Sequence, residues 1–287
     1  MQPTPSAAPP TTRPSARGKF TKLFLNATAC YLLAWLVVNF IGQAAQVVMA
    51  RRAYVPGRWD LGGVRFVLGD GAWRRDMVLA VYGLGPALVL ALGVGTFGWF
   101  WLRQRQRRGL VKLLLLWLAF HATNHVLGGL LADTVTHSSS WYVPNWLVGA
   151  GGTWPSMALG LLFGLGQVVL GFLAAVPFLL AQDSHTILRF ERRPQLVMYT
   201  ITGPWLVGSL LLALSKLPHL SVNEVFHYAT MTLLLVPLAL GCQQEFFNEN
   251  DNEALPYPTH VAWGLVGLAL LGLLAWRLAL GAPVAFR

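Results

Sequence analysis

The chain has 287 residues, of which 55% are hydrophobic and only 11% charged, where a soluble domain carries about a quarter charged residues. That balance excludes an ordinary soluble fold. The net charge of +10 does not make the chain a nucleic-acid binder, because its basic residues fall almost wholly between apolar runs, where they set topology and meet lipid headgroups.

Residues 1–21, with five prolines among many Ser, Thr and Ala, are expected to form a disordered N-terminal tail. Residues 22–287 follow as a single transmembrane helical domain. Helices are predicted at about 23–48, 77–102, 110–132, 155–181, 196–215, 225–241 and 259–281, since an apolar run of about 20 residues crosses the hydrocarbon core. The runs are continuous in Leu, Val, Ala and Gly and do not alternate as barrel strands must. The predicted fold is therefore all-α: a polytopic transmembrane bundle of about seven helices with a structured loop at 49–76. The first run is too long for a signal peptide and ends in arginine, so it reads as a retained helix. Cys30 and Cys242 lie within or at the end of apolar runs and read as buried small side chains.

The segments between the runs set an orientation. Loop 103–109 and Lys112 together supply five basic residues, the tail four and loop 182–195 three, whereas loop 133–153 supplies no Lys or Arg. By the positive-inside rule the N-terminus and the first two of these loops are cytoplasmic. An integral location in a bacterial inner membrane is the expectation. One segment disagrees: 49–76 holds six arginines on the outer side. Its stretch 61–71 alternates β-formers and glycines, which predicts a short β-hairpin or re-entrant element. Either this is a folded loop held by ion pairs to Asp60, Asp70 and Asp76, or the first segment does not span. Loop 243–258 has four carboxylates and no base, and reads as a solvated connector.

Polar groups inside a membrane are costly and usually have a task. His121 and His125, four apart in the third run, share one helical face at a spacing that suits a metal ion. Asp133 and His137 follow at the outer end of that helix, and Glu224 and His227, three apart, open the sixth. A metal site of His121, His125, Asp133, Glu224 and His227 is geometrically possible, with zinc or iron as the candidate ions. The competing reading is a set of separate interhelical hydrogen bonds. Asp183-Ser184-His185 and the sequon Asn26-Ala27-Thr28 read as helix-end and helix-entry features.

The end of the first run, Gly42-Gln43-Ala44-Ala45-Gln46-Val47-Val48-Met49-Ala50-Arg51-Arg52, leads into the glycine-punctuated stretch 61–71. This resembles the first core helix of the site-2 proteases, intramembrane zinc metallopeptidases in which an HExxH helix runs into a β-rich re-entrant loop. The resemblance covers about 50 residues. It places Gly42 and Gln46 at the histidine positions and Gln43 at the glutamate, and none of the three can do that work. It implies a catalytically dead relative. Laid instead on His121–His125, the same motif has Ala122 where the glutamate belongs.

Three functional readings follow. The first is a degenerate site-2-protease-like protein that acts by binding a membrane protein partner. The second is a membrane metalloenzyme, a hydrolase or oxidase on a lipid-soluble substrate, using the HxxxH site. The third is a small transporter or channel. The lipid bilayer is the expected environment in each.

Overall fold

The computed structural model describes residues 16–148, 153–183, 188, 190–244 and 259–287. Most of the predicted tail, Ser184 and His185, and the acidic stretch 245–258 lie outside the described residues. Seven helices are long and apolar enough to cross a membrane: Gly18–Arg52, Arg75–Gln104, Val111–Thr136, Trp154–Leu180, Arg193–Lys216, Val222–Gly241 and Trp263–Leu280. The protein is a polytopic helical membrane bundle. Large apolar side chains such as Leu161, Leu165, Leu270, Leu271 and Leu274 point outward, as they should where lipid is the solvent.

The first helix starts at Ala16, earlier than the apolar run suggests, and runs to Arg52. It is the hub of the bundle and packs against the second, third, fifth and seventh spans. Tyr31 and Trp35 from it join Leu116, Trp117, Phe120, Phe178, Leu196, Ile201, Leu212 and Leu234 in the main apolar core. Asn26 of the sequon is buried there, donating to the His260 carbonyl and accepting from the Ala262 amide. The fourth span crosses the sixth where Gly171 presses on the Leu234 carbonyl, the close backbone approach that small residues permit in membranes.

At the end of the bundle where the first helix begins, Asp183 accepts from Lys112 Nζ (2.6 Å) and from the Gly109 amide (2.7 Å). Arg193 donates to the carbonyls of Leu188, Cys242 and Gln244. These bonds tie the connecting loops down.

The opposite end carries a small sheet. Strands β1 (Gly57–Asp60) and β2 (Gly63–Phe66) form an antiparallel hairpin turned at Gly63, whose φ of 108° suits glycine. The folded-loop alternative for 49–76 holds, with the hairpin centred earlier than 61–71. Strand β3 (Val284–Phe286) pairs antiparallel with β1, giving the order β2-β1-β3. No sequence signal predicts that third strand. The Phe286 ring covers Gly57, where a Cβ would lie 2.5 Å from it, and packs with Ala50, Val55 and Val81. Among the described side chains, which do not include that of Asp70, ion pairs contribute little here. Asp60–Arg65 is 4.0 Å apart, and Asp76–Arg74, at 2.9 Å, is exposed. Aromatic packing of Phe66 on Trp73, Tyr82 and Phe286 is what holds the loop.

Candidate functional site

The third span is not a uniform helix. Its α-helix stops at Thr123, Asn124–Gly128 form a π-helical turn, and an α-helix resumes over Gly129–Thr136. Such a turn is a recurrent functional feature of helices. The Asn124 side chain holds it in place: its amide donates to the His227 carbonyl (2.9 Å), and its oxygen accepts from Gln167 (2.7 Å). The helix then ends at His137 in a left-handed conformation (φ 51°), and Ser139 also has positive φ (42°). Two non-glycine residues in that region carry strain, which tends to persist at working sites.

This irregular end borders a cavity of about 510 Å³ at the end of the bundle that carries the sheet, within the range of small-molecule sites. The first span contributes Tyr31, Trp35, Gln43 and Gln46, and the third His121, His125 and Asp133; Ser138–Ser140, the hairpin turn and the start of the sixth span complete the lining. All five predicted site residues reach it, and the arrangement divides them.

Asp133 is the most heavily bonded. Only 3% exposed, it accepts from the Ser140 amide (2.9 Å) and hydroxyl (2.5 Å), from Asn223 (2.9 Å), and pairs with His227 Nε2 (3.1 Å). His125 stands beside this pair, with its ring centroid 6.3 Å from that of His227. Glu224 is engaged elsewhere. It forms a salt bridge with buried Lys216 and closes a capping box with Ser221 at the start of the sixth span. Lys216 Nζ also lies over the Trp35 ring, 4.8 Å from its centroid. His121 sits deeper, its ring 4.4 Å from Tyr31 and 6.0 Å from Trp117, and its Nε2 has no hydrogen-bond partner.

The five side chains therefore do not form one ligand shell. Among the described residues no three or more His, Cys, Asp or Glu side chains gather as a group that could hold a metal ion. Two interhelical contacts of the kind anticipated as the alternative are present, Asp133 with His227 and Glu224 with Lys216. Asp183, of the Asp183-Ser184-His185 motif, is a loop tie.

Gln43 accepts from Trp59 Nε1 (2.7 Å), and Gln46 donates to Ser139 (3.3 Å). Both thus line the cavity and fix its rim. Sequence reasoning missed Lys216, Ser140, Tyr31 and Tyr228. A lysine at the end of an apolar run reads as a topology charge, a serine in loop 133–153 reads as part of a connector, and a tyrosine in a run carries no periodic signal. Comparison of the chain with protein-family models, with curated proteins and with solved structures finds no match.

Proposed function

We propose that this chain is a site-2-protease-like membrane protein that has lost hydrolysis and works by binding, its cavity holding a group presented by a membrane-embedded partner. One juxtaposition carries the reading. The Gly42, Gln43 and Gln46 face of the first span and the His121 and His125 face of the third line the same cavity. The residues at the HExxH positions thus border a polar chamber in which none of them can hold a metal or activate a water. The carboxylates nearest to serve as a general base are spent: Asp133 accepts from three residues and Glu224 pairs with Lys216.

A transport path has less support. Past His121 the bundle is filled by Leu116, Trp117 and Phe178, all fully buried. In the proposed orientation the N-terminus is cytoplasmic and the cavity faces the outer side of a bacterial inner membrane, following the basic residues of loops 103–109 and 182–195.

Restoring the motif tests the lost-hydrolysis half. The variant Gln43→Glu, Gln46→His, which leaves Gly42 bare for the His125 ring that packs on it, should bind zinc that the wild type does not, measured as metal per chain after dialysis. A folded double variant without zinc overturns the resemblance, and a stoichiometric zinc in the wild type overturns the loss. Native mass spectrometry from lipid nanodiscs tests the binding half. The wild type should carry an adduct that Gln46→Trp loses, and a wild type without adduct sinks it.

A further inference from the structure

The deep end of the cavity differs chemically from its mouth. Its walls are aromatic, from Tyr31, Trp35, Tyr228 and His121, with Met231 beside them. Two buried polar atoms there lack any partner, His121 Nε2 and Tyr228 Oη. His121 is 5% exposed, so water does not serve it freely, and a buried polar atom left unpaired costs stability. The neighbouring Tyr31 hydroxyl is by contrast satisfied by Ser209 at 2.7 Å. Of the six buried side-chain polar atoms without a partner among the described residues, these two belong to groups that line the cavity.

The charges around this end are compensated within the protein. Lys216 is matched by Glu224, and Asp133 by His227, Asn223 and Ser140. A charged headgroup entering here would have to break one of those pairs and would itself be desolvated. An uncharged group that accepts or donates a hydrogen bond would meet two waiting atoms at no such cost. Flat rings pack well against aromatic walls.

We infer that the deep end is a site for an uncharged planar headgroup bearing a carbonyl or hydroxyl, of the quinone or quinol kind, held by hydrogen bonds with His121 and Tyr228 and with its apolar tail toward the cavity mouth or lipid. This rests on the reading of the cavity as a binding site and names its ligand class.

The test uses the full chain in lipid nanodiscs, with decylubiquinone as probe and isothermal titration as readout. Decanol and decanoate, which carry the same length of tail with other headgroups, are the comparison arms. The probe should bind the wild type, the fatty acid should show at least tenfold weaker affinity, and decanol should fall between. Tyr228→Phe removes only the unpartnered hydroxyl, so its thermal melt should match the wild type while probe affinity falls about five- to tenfold, the worth of one hydrogen bond. His121→Phe should lower affinity by a similar factor. Equal probe affinity in the wild type and both variants overturns the site, as does decanoate binding as tightly as the quinone. Absence of probe binding overturns it too. In each of these cases a nanodisc adduct lost in Gln46→Trp leaves the binding function standing, so the two failures are distinguishable.

Discussion

A side chain on Gly42 would run into His125: its Cβ would lie 3.0 Å from Nε2 and 3.3 Å from Cε1. The His125 ring of the third span therefore packs on the first span at a position that has no side chain. Gly42→Ala should destabilise the protein by about 1–2 kcal/mol through overpacking. Gly83→Ala, where nothing lies within 4 Å, should be neutral or slightly stabilising, since alanine favours the helix. Thermal melts of both variants in one detergent check this, and equal shifts would refute the close-approach argument.

Asp133 joins the third span, the Ser138–Ser140 segment and the sixth span through a single buried carboxylate. Asp133→Ala strips a partner from His227, Asn223 and Ser140 together and should cost about 3 kcal/mol or more. Asn223→Ala removes one donor and should cost about 1 kcal/mol, the scale of polar contacts between membrane helices. Unfolding midpoints in a detergent–denaturant titration would show the order, and a reversed order would mean that Asp133 is not the hub.

Lys216 and Glu224 should behave as a unit. The lysine side chain is 2% exposed and the glutamate 15%, so removing one partner leaves the other poorly solvated. Lys216→Met alone should destabilise by about 3 kcal/mol, and the added Glu224→Gln should recover most of that loss. A double-mutant cycle on stability reads the coupling directly; additive single effects would show that the pair is not coupled.

The β3 strand should protect the hairpin. Phe286→Ala removes the ring that covers Gly57 and packs on Ala50 and Val81, at a cost of about 3 kcal/mol for a buried Phe. Tryptic cleavage after Arg58 or Arg65 should then speed up relative to the wild type. Unchanged cleavage would mean that the hairpin stands on its own.

The bundle was legible because lipid imposes a coarse rule: apolar runs of sufficient length must be helices with their own hydrogen bonds satisfied. The hairpin was half legible, since glycines at 62 and 63 mark a turn, but its partner Val284–Phe286 is too short and too distant in sequence to announce a pairing. At the site, the i, i+4 spacing correctly put His121 and His125 along one cavity. It said nothing of the π-helical turn that contains His125 and precedes Asp133, nor of Lys216, which pairs with Glu224. Spacing describes one helix at a time, whereas the partners that decide a side chain's role come from other helices.

Pairing Trp59 with Val284 also fixes an order of events. The hairpin emerges just behind the first span, yet the strand that completes its sheet follows the seventh, so every intervening helix must be synthesised and inserted before the sheet closes. Contacts so distant along the chain form slowly. During biogenesis the rim of the cavity is thus left two-stranded, with β1 offering an unpaired edge to whatever is near. The same topology that caps the mature protein makes its assembly sequential.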